Sequence, residues 1–157
     1  MSPVTSQSSG SQPSFSQQEI DERILLDWGA RIGVAARRED VASSQLENVI
    51  ASLDSVSGRE ALLATTIFVR KQEQKGKLKK KEQGQREKTE SMTAKLIIQA
   101  MLDLYQKGAD KDHARKMLDF AKWVYEAKIQ YSGRLENLTL HQLLKHLLEQ
   151  LRQQRTG

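Results

Sequence analysis

The sequence predicts an all-α protein, a single bundle of five to six helices, and three observations carry that expectation. Both prolines, Pro3 and Pro13, stand near the N-terminus and none follows; proline breaks helix interiors and populates loops, so a long proline-free stretch fits helices joined by short turns. Apolar residues recur at three- and four-residue spacing through most of the chain, while sustained strand-type alternation is missing. The 157 residues, 38% hydrophobic and 29% charged, suffice for one domain with a modest core.

Residues 1–15 are rich in Ser and Gln, hold both prolines and carry no charge. Such a composition cannot bury enough apolar surface to offset the entropy of ordering, so the expectation is a disordered tail ahead of a helical domain over 16–157. The first helix is expected at Ser16, where Ser16 and Glu19 have capping-box spacing. Ile20, Ile24, Leu25, Trp28 and Ile32 share its inner face, and Gly29 and Gly33 are expected to bend or end it near 33. A second helix over about 40–54 turns Val41, Leu46, Val49, Ile50 and Leu53 inward.

Ser57 and Glu60 repeat the capping-box spacing and launch a third helix. Its first part, Ala61 to Val69, has no charge. At about 100° per residue such a run covers the whole circumference, which predicts a helix buried all round; it is far short of the ~20 residues that span a bilayer. Gly76 is the expected end, and 76–90 is expected to be a loop or to fold on contact with a partner. A fourth helix follows from about Ser91 to Lys107, with Gly108 as its terminating glycine. Asp110 caps a fifth, which gathers Ala114, Met117, Leu118, Ala121, Val124, Tyr125 and Lys128 on one side and ends at Ser132-Gly133. The last helix starts at Thr139, whose capping box with Gln142 is accompanied by a Leu138–Leu143 staple. Its stripe Leu140, Leu143, Leu144, Leu147, Leu148 and Leu151 is expected to be core.

Charge is distributed unevenly. Residues 70–88 hold nine Lys or Arg against Glu73, Glu82 and Glu87, a net of +6, whereas the whole chain is +5 and the remainder therefore −1. A local basic patch is the usual footprint of a polyanion partner, although a charge run can also be merely solvating. The expected nucleic-acid contacts are Arg70, Lys71, Lys75, Lys77, Lys79, Lys80, Lys81, Arg86 and Lys88. Arg31, Arg37 and Arg38 form a smaller second cationic patch, of which Arg37 and Arg38 join the expected contacts. With 5% aromatic residues, a stacking platform for unpaired bases is poorly supported, so binding should run through phosphates with little sequence preference. Trp123 lies about 160° from the centre of the fifth helix's apolar face, beside Phe120, and both are expected at a subunit contact, the alternative for Trp123 being packing under the N-terminal region.

Catalytic chemistry is not expected. The absence of cysteine excludes disulfides and thiolate metal sites. His141 and His146 do not share a helix face, His113 stands apart, and carboxylates are scattered through amphipathic patterns. Gly76-Lys77 lacks the rest of a phosphate-binding loop motif. The expectation is a protein that is not an enzyme and uses no cofactor and no metal. No secretory signal or membrane span is visible, so the expected location is cytoplasmic.

Two stretches carry a family likeness: Leu62-Leu63-Ala64-Thr65-Thr66-Ile67-Phe68-Val69-Arg70-Lys71, and Ala114 to Ala127 ending Phe120-Ala121-Lys122-Trp123-Val124-Tyr125-Glu126-Ala127. With the size, the proline-poor helices and the basic face, the chain over roughly 16–152 resembles the small all-helical subunit of type III (Csm- or Cmr-type) CRISPR effector complexes. That resemblance implies a non-catalytic RNA-binding subunit in antiviral defence. Its partners would be guide RNA, target nucleic acid, other effector subunits and copies of itself, with no membrane. The Lys-rich insertion and the Ser/Gln tail depart from a compact member. The alternatives are a free-standing, sequence-nonspecific nucleic-acid-binding helical protein and a helical structural adaptor.

Overall fold

The structure is a computed structural model that describes residues 20–80 and 89–156. Among them are six helices packed together: α1 (Glu22–Arg38), α2 (Ser43–Asp54), α3 (Glu60–Gln74), α4 (Met92–Gln106), α5 (Lys111–Glu126) and α6 (Leu140–Thr156). The expected tail and the Ser16–Glu19 capping box lie outside the described residues, as do Lys81, Arg86 and Lys88.

The centre of the bundle is the α1–α5 pair, the most extensive helix contact in the fold. Glycine makes it possible. A Cβ on Gly33 would lie 2.6 Å from both the Ala121 carbonyl oxygen and Val124 Cβ, and one on Gly29 would lie 2.8 Å from Phe120 Cδ2. The two glycines therefore do not bend or end α1 near 33, as the sequence suggested. They let the two backbones approach, and α1 runs on to Arg38. Its start is capped by Asp21, whose side chain accepts the Arg23 N–H.

Around this pair, α4 packs on α1, α3 packs on α4, and α2 bridges α3 and α5. Leu25, Ile32, Leu53, Leu62, Leu96, Ile97, Met101, Leu104 and Met117 form the fully buried centre. The turn after α3 contributes Leu78, which is completely buried.

Three local expectations are corrected. Ser57 does not cap α3; the N-cap is Arg59, with no side-chain cap bond. The uncharged run of α3 is not buried all round: Ala61, Leu62, Thr65 and Val69 face the core, whereas Ile67 is 72% exposed. Helix α5 stops at Glu126, ahead of Ser132-Gly133, and the chain leaves it through Lys128 at φ 56. Other signals are met as read. Gly108 has φ 86 after α4, Asp110 forms a capping box with His113, and Thr139 and Gln142 exchange their cap bonds at the start of α6. The leucine stripe of α6 is core only in part: Leu143 is buried, but Leu144, Leu148 and Leu151 are exposed.

Candidate nucleic-acid interface

The last turn of α3 carries Arg70, Lys71 and Gln74, and the chain turns at Gly76, whose φ is 70. Backbone bonds close the turn: Gly76 N–H donates to the Glu73 carbonyl and Lys77 N–H to that of Gln72, each at 2.9 Å. Leu78 then plugs into the core, and Lys80 N–H donates to the Glu39 carbonyl at 3.0 Å. The segment 75–80 is thus a loop, one of the two states the sequence suggested from 76 onward, and it is fixed at its start, middle and end.

This framework fixes the origins of Lys71, Lys75 and Lys77, all three exposed. Lys71 and Lys75 are neighbours at i, i+4, and Lys77 follows across the turn. Lys71 Nζ sits 5.2 Å from the Phe68 ring centroid, and none of the three makes an ion pair among the described residues. Lys79 lines a cavity of about 630 Å³ at the start of α4 together with Arg70 and Lys95. Lys80 lies 3.5 Å from Asp40.

Arg70 is engaged locally. Its Nη1 is 2.6 Å from Glu73 Oε1, and Glu73, itself buried, accepts the Ser91 N–H through its other oxygen at 2.9 Å. Beside it, Glu39 accepts the N–H groups of Met92 (2.7 Å) and Thr93 (2.8 Å) and the hydroxyls of Ser91 and Thr93. Two carboxylates therefore occupy the N-terminus of α4, where the helix dipole favours negative charge. The same Glu39 holds the 75–80 segment through its backbone oxygen.

The second cationic patch is arranged differently. Arg31 Nε donates to the Leu138 carbonyl (2.8 Å), and Arg37 donates through Nε and Nη2 to the Tyr125 carbonyl (3.1 and 2.8 Å). Arg38 Nη2 donates to the carbonyls of Tyr131 and Gly133. Along α1, Arg31 and Arg38 thus hold the connector between α5 and α6, and Arg37 holds the last turn of α5. Arg59 does the same for the end of α4, donating to the Tyr105 and Ala109 carbonyls while stacking 4.3 Å from the Tyr105 ring centroid. The contrast between Arg31, Arg37, Arg38 and Arg59 on backbone carbonyls and Lys71, Lys75 and Lys77 in water follows the planar fork of one side chain and the flexible, strongly hydrated point charge of the other. Nothing in the order of residues announces it.

Trp123 is 69% exposed and packs edge-on against the half-buried Phe120, ring centroids 6.3 Å apart. Across the same surface Lys122 reaches Glu47 at 2.8 Å, and that hydrogen bond holds the ammonium above the ordinary lysine pKa. His113 serves as a cap partner and His146 meets the Tyr131 ring edge-on at 5.4 Å, so both have local roles. Among the described residues no three His, Asp or Glu side chains converge on a point that could hold a metal ion, and no helix is long and apolar enough to cross a membrane. No family model, curated protein or solved structure matches the chain.

Proposed function

We propose that this protein is a non-catalytic helical subunit that binds nucleic acid through phosphates. In the reading suggested by the sequence resemblance, it serves an RNA-guided type III CRISPR effector complex, beside guide RNA, target strand, other subunits and further copies of itself. The observation that carries the binding role is the lysine row Lys71, Lys75 and Lys77, exposed, without ion pairs among the described residues and set on a framework pinned by Leu78. Cations whose origins are fixed lose less freedom on engaging a polyanion than cations on a loose tail. The exposed Trp123, flanked by Phe120, supplies the kind of aromatic anchor that subunit contacts use.

A helical adaptor is the second reading, favoured by the exposed Leu144, Leu148 and Leu151 along α6. The two readings separate in a salt titration with single-stranded RNA. Each phosphate neutralised contributes about −0.7 to the slope of log K against log salt on single strands. Replacing Lys71, Lys75 and Lys77 together by Ala should flatten the slope by roughly 2 and weaken unrelated sequences alike. An unchanged slope removes the lysine row from the binding surface. RNA binding absent from the wild-type chain at low salt leaves the adaptor reading. Co-purification of a guide RNA and large effector subunits with the tagged chain tests the assignment to an RNA-guided complex.

A further inference from the structure

A cavity of about 650 Å³ lies between the end of α1, the α5–α6 connector and α6. Arg37, Arg38, Tyr131, Ser132, His146 and Gln150 supply its polar lining, Val34 and Ile129 its apolar wall, and none of the described residues around it is acidic. A guanidinium has five N–H donors. Arg37 commits Nε and Nη2 to one carbonyl, and Arg38 commits Nη2 to two, so each retains further donors. Both guanidinium groups are already oriented by backbone, and Arg37 is further held 4.1 Å from the Tyr125 ring centroid. Their ordering cost is met by the fold before any ligand arrives.

Two oriented guanidinium groups without a carboxylate partner among the described residues make an anion site, and the planar fork matches phosphate oxygens in pairs. The volume falls within the ~300–1000 Å³ typical of small-molecule sites, so a phosphate alone would leave most of it empty. The remaining wall is apolar and aromatic: Val34, Ile129 and the Tyr131–His146 ring pair. We propose that this cavity binds the phosphate monoester of a nucleotide, with the phosphate at Arg37 and Arg38 and the nucleoside against the rings. The source is a free mononucleotide or the phosphorylated end of a strand. The site shares no residue with the lysine row, so it stands or falls separately from the phosphate-binding surface proposed above.

The test is an NMR and calorimetric titration of the full chain with AMP, adenosine, and oligoadenylate with a 5′-phosphate or a 5′-hydroxyl. AMP should shift the Tyr131 and His146 resonances, and adenosine should bind at least about tenfold more weakly, which is about 1.4 kcal/mol. Ser132→Glu places a carboxylate at the exposed rim without removing a connector anchor, and Ser132→Asp repeats the charge test with a shorter side chain. Either variant, if folded by circular dichroism, should weaken AMP by about tenfold or more, whereas the triple lysine variant should bind AMP like the wild type. A preference for the 5′-phosphorylated strand over its 5′-hydroxyl counterpart assigns the site to strand ends, and equal binding of the two strands assigns it to free nucleotide. Equal affinity for AMP and adenosine, no response of the cavity resonances, or unaltered AMP binding by both folded variants overturns the proposal.

Discussion

Gly33 shows how one residue sets the spacing of two helices. A methyl group there would stand 2.6 Å from the Ala121 carbonyl oxygen, a backbone atom that cannot swing away. Gly33→Ala should therefore push α1 from α5 and cost about 1–3 kcal/mol, the range for forced overpacking, read as a lower urea midpoint. This sign is opposite to what helix propensity alone predicts, since Ala is the better helix former by about 1 kcal/mol. A stabilised variant would mean that the helices have room to spare. Trp123 provides the contrast: at 69% exposure it removes little surface from water in the monomer. Trp123→Ala should move unfolding by no more than about 0.5 kcal/mol while weakening any assembly that uses this face, measured by sedimentation. The glycines were visible in the sequence, but their role was not. Propensity is a property of the residue, whereas close approach is a property of the pair of helices it joins.

At the scale of elements, several signals confined to a few neighbouring residues were legible, although Ser57, at the same capping-box spacing from Glu60, does not cap α3. Asp110 and the Thr139–Gln142 pair act within one helical turn, and Gly108 acts where the chain must take a positive φ, so each could be read directly. The N-terminus of α4 was not fully legible, because much of its capping comes from far along the chain. Glu39 supplies four acceptor bonds to Ser91, Met92 and Thr93, and Glu73 supplies one to Ser91. Nothing in Arg37-Arg38-Glu39-Asp40 marks Glu39 as different from a solvated acid. The leucine stripe of α6 misled in the other direction, since helical spacing reports that a face is apolar and not that another element covers it. Glu39→Ala would leave the Met92 and Thr93 N–H groups without their carboxylate. The expected loss is roughly 2 kcal/mol, typical of hydrogen bonds to a charged group, with faster amide exchange confined to the first turn of α4, while Lys80, bonded to the backbone carbonyl of residue 39, keeps its protection. Unchanged exchange at Met92 and Thr93 would show that water or Ser91 substitutes for it.

Over the whole molecule, stability should be uneven, and the asymmetry follows from which helices touch. Helices α1 to α5 form a mutually packed set, while α6 meets only α1 among the helices. Its ties include Leu143 in the core, the His146 ring edge-on to Tyr131, the Leu140 N–H on the Asp27 carboxylate at 2.8 Å, and the Gln150 amide on the Gln130 carbonyl at 3.3 Å. Elements with few buried apolar contacts open below the global unfolding free energy. In native-state hydrogen exchange at rising urea, α6 amides should exchange through an opening of lower free energy and smaller urea dependence than the amides of α1 and α5. The same opening dismantles the proposed nucleotide cavity, because His146 and Gln150 belong to α6. A ligand that binds only the closed form adds RT ln(1 + [L]/Kd) to the opening free energy, about 2.7 kcal/mol at a hundredfold excess over Kd. AMP should accordingly slow exchange throughout α6 while leaving the α1–α5 amides to follow global unfolding. If α6 already exchanges with the same free energy and urea dependence as α5, the molecule unfolds as one unit, and α6 is no separate gate to the cavity.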